Sequence, residues 1–436
     1  MKKIFPFSGV RYNPEHIDNL ANVISQPYDK ITADERAILW RRHDKNVVRL
    51  ILPPPDGADT DFVVVGATES SDWYEKAAER LQAWIRDGVL ISDAPRLYVY
   101  RQHFSYRDRS FTRTGLFVSL GLDDEDGPLA HEHTFEGPKA DRFRLISATQ
   151  ANLSPIFLLS DGDMEKWSAI FSKTNDSLAQ FEDLDGQKHE ILSITDAETI
   201  QTVQDFVQDR TLVIADGHHR YETAQNYKKI MMQETGLDPD REPWGCVMAF
   251  IVPAESPDLL VLPTHRVISQ MPDGWMNDLL SNAEPYCSIE PLTDYTGDSL
   301  QHLLAKPEHG QSIAVIAKDQ GFLLTLKEEA APHSLTALAP PLRRLNVSIL
   351  HQFLFESCLN LSPTALQGIT RYIRSEDESL ARVQSGEAQA AFLLGGLLPQ
   401  TVLDVSQHRV RMPQKSTDFY PKIPTGLIFR SVAATK

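Results

Sequence analysis

The fold of this chain is organised around residues 212–227, LVIADGHHRYETAQNY. An apolar run stops at Asp216 and Gly217, and the polar segment that follows carries Ala224 and Tyr227 on one side at helical spacing. The change from an apolar run through a glycine to helical spacing predicts a buried strand, a tight turn and the start of a helix. We therefore take the polar turn between strand and helix as the first candidate functional feature.

The turn combines an acid, a glycine, two histidines and an arginine: Asp216, Gly217, His218, His219 and Arg220. A helix start carries partial positive charge and orients backbone N–H groups towards an anion. An arginine can bind a phosphate or carboxylate through two parallel hydrogen bonds, and a glycine lets the backbone approach a ligand closely. The alternative is structural, with Asp216 as a helix cap and Arg220 paired with Glu222, and spacing alone leaves both interpretations open.

Composition limits the classes of function. The chain has 436 residues, of which 42% are apolar and 24% charged, and this predicts a globular protein of two or three domains. A net charge of −17 argues against nucleic acid and anionic membranes as partners. The N-terminus predicts no signal peptide, and no apolar run has the length of a membrane span. The three widely spaced cysteines indicate a reducing compartment, so we expect a cytoplasmic protein.

Strand and helix patterns alternate along the chain and predict an α/β fold with mixed (α+β) sheets. We expect a core domain over 1–270, a peripheral α/β unit over 271–350, and a C-terminal segment over 351–436 that packs back on the core. Residues 46–52, NVVRLIL, alternate as a strand does. Residues 263–267, PTHRV, are interpreted as a polar turn.

Two further stretches are dense in polar side chains. HEHTFEGPKADR, residues 131–142, places His131 and His133 where one face of a strand could hold a metal, and Lys139 and Arg142 where they could hold an anion. A solvated loop entering a helix explains the same stretch, and the spacing favours no particular metal.

The third dense stretch, MPQKSTDFYPK, covers residues 412–422. In it two lysines, Lys415 and Lys422, together with Ser416 and Thr417, could contact an anion. Earlier in the chain, SQPYDKI contains a proline that favours an extended or turning backbone, with Asp29 expected to cap the next helix.

These motifs resemble those of a family known only as domain of unknown function 1015. The resemblance covers nearly the whole chain and is carried by six stretches: SQPYDKI at 25–31, HEHTFEGPKADR at 131–142, ATQANLSPIF at 148–157, VIADGHHRYETA at 213–224, LPTHRV at 262–267 and MPQKSTDFYPKIPTGLIFR at 412–430. The family name implies no activity.

A more distant resemblance does imply an activity. The turn is similar to the phosphate-binding turn of the ParB/sulfiredoxin superfamily, with Gly217 and Arg220 at the two fixed positions of its Gly-x-x-Arg core. Within that superfamily the ADP-dependent free serine kinases have a similar turn and a proline-containing segment that lines the nucleotide site. The corresponding residues here are Gln26, Pro27, Tyr28 and Asp29. The resemblance implies a ParB/sulfiredoxin-like core with additional α/β elements.

The resemblance also implies roles for individual residues. Gly217, His218, His219 and Arg220 would cradle a phosphate, and Asp216 would be a Mg²⁺ ligand or a general base. Further cations would be supplied by Lys139, Arg142 and Lys415, with Ser416 and Thr417 beside the last. Glu132 and Glu136 are candidates for a catalytic glutamate, and His131 and His265 for contacts to substrate or nucleotide.

Three functions follow as hypotheses. The first is a phosphotransferase that uses Mg²⁺ and ATP or ADP on a small metabolite such as serine or phosphoserine. The second is a metal-dependent phosphatase, in which water takes the place of the acceptor hydroxyl. The third is a nucleotide-binding or ligand-binding protein without catalysis; the acidic charge and the lack of a basic helix-turn-helix argue against DNA as its ligand.

Overall fold

A computed structural model describes residues 3–55, 72–123, 125–132, 136–293, 295–306 and 311–434. The chain forms two compact units, the first from residues 1–129, 134–259 and 421–436 and the second from 130–133 and 260–420. Both mix helices with β-sheets, which confirms the predicted fold class. None of the helices in these ranges has the length and apolar character of a membrane span.

The first unit contains most of the motifs. Its strands up to residue 259 are β1 (Ile4–Phe5), β2 (Gly9–Tyr12), β3 (Leu90–Ser92), β4 (Leu97–Tyr106), β5 (Arg109–Gly121), β6 (Leu129–Ala130, where the chain passes to the second unit), β7 (Ala151–Asn152), β8 (Ile156–Ser160), β9 (Asp176–Glu182), β10 (Lys188–Ile194), β11 (Leu212–Asp216) and β12 (Cys246–Pro253). Its helices are α1 (Ala33–Arg42), α2 (Val48–Ile51), α3 (Asp72–Arg86), α4 (Glu136–Thr149), α5 (Met164–Phe171), α6 (Ala197–Gln208) and α7 (His218–Thr235).

The large sheet of this unit is mixed. Its strands follow one another in the order β11-β8-β12-β5-β4-β10-β9, and β1 lies beside β5. The pair β8 and β12 is parallel, while the other neighbours are antiparallel. Leu158 and Ile214 of the sheet share a core with Trp167 of α5, Val203 of α6 and Ala224 of α7. This packing fixes β11 and α7, the two elements that carry the polar turn.

An irregularity in β11 sets the direction of its last residue. Ile214 pairs with Leu158, but the next registered pair is Asp216 with Phe157, so one extra residue is inserted. Such a bulge bends a strand locally and changes the direction of the side chain that follows. Asp216 therefore leaves the regular alternation of the strand just before the turn.

The second unit has a sheet of its own. Its strands are β13 (Leu260–Leu262), β14 (His265–Ile268), β15 (Cys287–Leu292), β16 (Ser312–Ile316), β17 (Gly321–Leu326), β18 (Thr370–Ile373), β19 (Ala390–Leu394) and β20 (Asp418–Tyr420). Its helices are α8 (Trp275–Ala283), α9 (Gly297–Leu304), α10 (His333–Thr336), α11 (Asn346–Ser348, continuing as π-helical turns over Ile349–Cys358), α12 (Pro363–Leu366), α13 (Glu376–Gln384) and α14 (Pro399–Gln407). The sheet order is β15-β17-β16-β19-β14-β18, and β13 pairs with β20.

The chain then returns to the first unit as β21 (Phe429–Ser431). This strand completes a small antiparallel sheet in the order β3-β2-β21-β7. Phe429 packs there with Tyr12 and Trp84 in a second core of the same unit. The return places residues 421 and 422, which end the third dense stretch, in the unit that carries the polar turn. Residues 423–428, which lead to β21, belong to the same unit.

Three local predictions were wrong. Residues 46–52 contain the helix α2 instead of a strand, because the Asn46 side chain accepts the Val48 N–H and donates to the Asn22 carbonyl. Asp29 does not cap α1, since Thr32 does so in a capping box with Glu35. Residues 263–267 are not a polar turn, because β14 begins there at His265.

Candidate anion-binding site

The centre of the candidate site is the carboxylate of Asp216, which two cations hold. Arg220 donates from Nη2 to Oδ2 at 2.5 Å, and Lys422 donates from Nζ to Oδ1 at 2.9 Å. Arg220 also donates from Nη1 to the Pro155 carbonyl. All three charged side chains are largely buried, with exposed fractions of 21% for Asp216, 14% for Arg220 and 11% for Lys422.

The two cations fix the charge state of the acid. Burial alone would raise the pKa of Asp216, but the positive charges of Lys422 and Arg220 and the hydrogen bond from Lys422 hold that pKa well below its ordinary value. A carboxylate in this state is a weak base at neutral pH. In this structure Asp216 thus holds the two cations in place, and its predicted role as a general base stays a prediction.

Two features of the structure require a glycine at position 217, namely its backbone conformation and the nearby side chain of Arg220. Its φ of 89° lies in the left-handed region, which side chains other than glycine rarely adopt. A Cβ built there would lie 2.9 Å from Nε of Arg220. The glycine thus lets the chain turn from β11 into α7 while the Arg220 guanidinium lies across it.

A buried arginine fixes the segment that carries Lys422. Arg113 is fully buried in β5 and donates from Nη2 to the Pro421 carbonyl at 2.7 Å and to Oε1 of Gln102 at 2.5 Å. Burial lowers the pKa of Arg113 to about 10, although the nearby Tyr100 and Asp216 oppose the shift. Because Pro421 directly precedes Lys422, this contact positions the lysine for Asp216.

A small pocket lies next to the turn in the same unit. It has a volume of about 50 Å³, and its lining includes Tyr28, Arg142, Arg220, Thr223 and Thr425. The guanidinium carbon of Arg142 lies 4.0 Å from the centroid of the Tyr28 ring. The structure thus brings together three residues that the sequence analysis selected from three different motifs.

Arg142 has protein partners on several of its donors. Its Nε donates to Asp141 at 2.7 Å, and both terminal nitrogens lie 3.1 Å from the Ile51 carbonyl. Burial raises the pKa of Tyr28, and the charges of Arg142 and Arg220 oppose the shift. Arg142 therefore stabilises the packing around Tyr28 in addition to lining the pocket.

The remaining predicted residues of the first unit differ in how exposed their side chains are. Lys139 on α4 forms an ion pair with Glu222 on α7 at 2.7 Å. His218 and His219 occupy the first turn of α7 and are half-buried. In the proline segment, Pro27 is buried, whereas Gln26 and Asp29 are exposed.

The other predicted residues belong to the second unit. His131 is fully buried, and its Nε2 lies 2.8 Å from Oγ1 of Thr417. Glu132 accepts the Ser416 N–H at 3.2 Å, and the Lys415 side chain is exposed. Within this unit the structure thus brings the HEH motif together with the QKST motif. His133 lies outside the described residues.

His265 is buried in β14 of the same unit. Its Nδ1 accepts the Leu394 N–H at 3.2 Å, and its Nε2 lies 3.6 Å from Oε1 of Glu376. The next residue, Arg266, is also buried and donates to the carbonyls of Thr264, Gln414 and Lys415. These contacts hold the LPTHRV motif within the second unit, and the predicted contact of His265 with substrate or nucleotide stays a prediction.

The residues around Asp216 do not form a preformed metal site. Over the described ranges, no group of three or more histidine, cysteine, aspartate or glutamate side chains could hold a metal ion. Both oxygens of Asp216 accept hydrogen bonds from cations, which a metal would have to displace. The predicted role of Asp216 as a Mg²⁺ ligand therefore stays a prediction, and we derive no step through a metal.

Lys422 is a residue of the site to which the sequence analysis assigned no phosphate-binding role of its own. Lys415 and Lys422 both lie in the stretch MPQKSTDFYPK and both could contact an anion, but only Lys415 was assigned a role as a cation for phosphate. Between them lies Tyr420, after which the chain returns to the first unit. The strand-forming residues Phe429 and Arg430 were the available signal that the segment just before them packs with the first unit.

Comparisons with known proteins follow this geometry. A family profile described as protein of unknown function (DUF1015) matches residues 4–348. No curated protein sequence matches the chain.

Several solved structures are similar at low sequence identity. A free serine kinase in complex with AMP has 11% identity and a TM-score of 0.35, covering 70% of this chain and 86% of its own. A conserved hypothetical protein from Pyrococcus furiosus has 12% identity and a TM-score of 0.33, with coverages of 74% and 95%. SbnI from Staphylococcus aureus, truncated at its C-terminus, has 10% identity and a TM-score of 0.34, with coverages of 71% and 85%.

Proposed function

The chain belongs to the DUF1015 family of proteins of unknown function, and we propose that it is a phosphotransferase acting on a small metabolite of the serine or phosphoserine class. ATP or ADP is the phosphoryl donor in this proposal, and the cytoplasm is its compartment. The single observation that carries it is the ion-paired turn of Asp216, Arg220 and Lys422 at the N-terminus of α7.

The charge balance of the turn supports an anionic ligand. Arg220 and Lys422 contribute two positive charges against the single negative charge of Asp216. The dipole of α7 adds positive potential at the same end of the helix. Because the site is largely buried, this excess of positive charge attracts a phosphate more strongly than the same charges would in water.

The turn also suits the chemistry of phosphoryl transfer. Such reactions depend on positioning and on neutralising the charge of the transferred oxygens, with little covalent chemistry from the protein. Arg220 and Lys422 supply donors for those oxygens, and Asp216 keeps both donors in place before the ligand arrives. His218 and His219, in the first turn of α7, are the proposed proton-transfer groups, since imidazoles are the usual groups for this task near neutral pH.

The test measures phosphoryl transfer by the purified full-length protein. ATP or ADP is incubated with L-serine, and phosphoserine with AMP or ADP, and products are quantified by ³¹P NMR. We expect Arg220→Met to lower kcat/KM by about a hundredfold or more, as the loss of one donor to a transferred group commonly does. The matched control is Arg241→Met, because Arg241 is 86% exposed in the same unit.

Three results would separate the hypotheses. Full turnover by Arg220→Met would contradict the proposed site. Phosphate release from phosphoserine without any nucleotide would establish the phosphatase. Tight nucleotide binding by calorimetry with no turnover of any metabolite would establish a binding protein.

A further inference from the structure

The pocket beside the turn contains buried hydroxyl groups that lack hydrogen-bond partners. Thr223 on α7 is 5% exposed and Thr425 is 1% exposed, and both line the pocket. Among the residues that the structure describes, neither Oγ1 atom has a hydrogen-bond partner. A buried polar group without a partner costs about 1–3 kcal/mol, so two in one small pocket point to a ligand.

Two guanidinium groups line the same pocket. Arg142 is 8% exposed, and Arg220 donates within the described structure to the Pro155 carbonyl and to Asp216. A guanidinium carries five N–H donors, so Arg220 retains donors beyond these two contacts. The pocket therefore combines hydroxyl and guanidinium donors, which together suit the oxygens of an anion.

Size and charge narrow the class of ligand. The pocket volume of about 50 Å³ holds roughly three to five water-sized groups, which suits a single small functional group. Arg142, Arg220 and Lys422 carry three positive charges, and Asp141 and Asp216 carry two negative ones. The excess of one positive charge matches a monoanion.

The rest of the lining favours a carboxylate. Leu145, Leu153 and Val247 give the pocket apolar walls, which suit the carbon attached to a carboxylate better than a fully hydrated dianion. We propose that this pocket binds the carboxylate group of a small organic acid, held by Arg142, Arg220, Thr223 and Thr425. The site goes beyond the proposed transfer reaction, since its occupation requires neither a nucleotide nor turnover.

The test uses acetate as the probe and saturation-transfer-difference NMR on the full-length protein without nucleotide. We expect acetate to bind at millimolar concentration. Acetamide, which has the same shape without the charge, should bind at least tenfold more weakly. Thr223→Val and Thr425→Val should each weaken acetate binding about tenfold or more, because a hydrogen bond to a charged group is lost.

These variants are suited to the test because valine has nearly the shape of threonine. Neither hydroxyl has a partner among the described residues, so removal breaks no hydrogen bond recorded there and both variants should unfold at or above the wild-type temperature. The matched control is Thr202→Val, an exposed helical position whose hydroxyl donates to the Glu198 carbonyl. It should leave acetate binding unchanged.

Each other outcome overturns the proposal. Wild-type protein that binds no acetate at 50 mM would mean that the pocket holds only water. Equal binding by wild type, Thr223→Val and Thr425→Val would place acetate elsewhere. Inorganic phosphate that displaces acetate at a tenth of its concentration would identify the pocket as part of the phosphate site. Because Arg220 belongs to both proposed sites, acetate binding by the threonine variants tests the carboxylate pocket, and the transfer assay tests the proposed function.

Discussion

Two of the three His-Arg pairs in the chain lie in the motifs described above, and they differ in what surrounds the arginine. His219-Arg220 begins α7, and Arg220 contacts a carboxylate that it shares with Lys422. His265-Arg266 lies inside β14, and Arg266 contacts three backbone carbonyls. In the first unit Arg220 thus has an ionic partner that a ligand could exchange. In the second unit Arg266 has backbone partners that are fixed.

This difference bears on which of the two arginines could exchange its protein partner for a ligand. A ligand phosphate can compete with Asp216 for Arg220, because both are anions that accept the same N–H donors. The partners of Arg266 are neutral backbone carbonyls of Thr264, Gln414 and Lys415, which are fixed in their own segments of the chain. Burial lowers the pKa of Arg266 to about 10, and it lowers the pKa of neighbouring His351 to about 3, with the charge of Arg266 as the second cause.

The largest expected effect is on the stability of the second unit. Arg266→Met keeps the volume but leaves the carbonyls of Thr264, Gln414 and Lys415 without their donor. We expect the free energy of unfolding to fall by about 3–5 kcal/mol, the usual cost of breaking a buried polar cluster by removing one partner. Urea denaturation measures the loss, and hydrogen exchange assigns it to β14 and residues 413–416.

The matched variant at the other pair is Arg220→Met. It should lose less than half as much stability, since Asp216 retains Lys422 as a partner. If it destabilises the protein as much as Arg266→Met does, the distinction between the two arginines fails.

The second prediction concerns the acid of the first pair. Asp216→Asn should lower the free energy of unfolding by about 2 kcal/mol at pH 7, because Arg220 and Lys422 lose their counter-charge in a largely buried site. The folded-state pKa of Asp216 lies below its ordinary value of 3.8, so the unfolded chain takes up the proton first as the pH falls. The advantage of the wild type is therefore complete above about pH 5 and shrinks as the pH falls below about 4 towards 2.

Lys422→Met is the companion variant, because it removes the cation that contributes most to lowering the Asp216 pKa. Its acid-induced loss of stability should be smaller than that of the wild type and should end at a higher pH, because the folded-state pKa of Asp216 moves towards its ordinary value. Guanidinium denaturation at a series of pH values checks both curves. A gap between wild type and Asp216→Asn that stays constant from pH 7 to pH 2 would contradict the ion-paired state of the acid.

The sequence predicted the first His-Arg pair better than the second, for a physical reason. The strand, turn and helix over 212–227 are specified by neighbours in sequence, namely the apolar run and the glycine. The environment of Arg266 depends on the Lys415 carbonyl, which lies 149 positions further along the chain. The polar residues around Arg266 therefore predicted a turn, whereas in the structure carbonyls from a distant segment accept hydrogen bonds from Arg266 in a buried strand.

The choice between two lysines shows the same limit. Lys415 and Lys422 lie in one motif, and nothing in the composition around them favours either. Arg113 fixes Pro421 through its carbonyl and so places Lys422 near Asp216, a contact across 308 positions that sequence spacing does not reveal. The motif could be predicted as functional, but which lysine reaches the turn could not.

The third prediction tests how tightly Gly217 and Arg220 are packed. Gly217→Ala should cost about 2–3 kcal/mol, because its φ of 89° disfavours alanine and the new Cβ would lie 2.9 Å from Nε of Arg220. Gly236 ends the same helix at a φ of 68°, with no atom within 4 Å of a built Cβ. Gly236→Ala should therefore cost only about 1 kcal/mol, the conformational part alone.

The difference between the free-energy costs of Gly217→Ala and Gly236→Ala measures how closely position 217 is packed against Arg220. It should disappear when both are made in the Arg220→Met background, because the rigid guanidinium is then absent. Thermal unfolding of six proteins, namely the two backgrounds and the two alanine variants in each, completes this comparison. Equal costs for the two glycines in the wild-type background would show that Arg220 can move away without loss, and the ordered turn would then not distinguish the first His-Arg pair from the second.

The smallest effect is expected at Lys139, whose pair with Glu222 is partly exposed, with exposed fractions of 27% and 33%. Such pairs contribute at most about 1 kcal/mol, so Lys139→Met should leave stability nearly unchanged.

As an additional cation for a phosphorylated substrate, however, Lys139 should lower KM through long-range attraction. We expect Lys139→Met to raise KM about threefold at low salt with kcat unchanged, and the effect to vanish in 0.5 M salt, where charges are screened within a few ångströms. Glu222→Gln is the control, because it breaks the same ion pair while keeping the cation, and a raised KM in that variant too would assign Lys139 to helix packing alone.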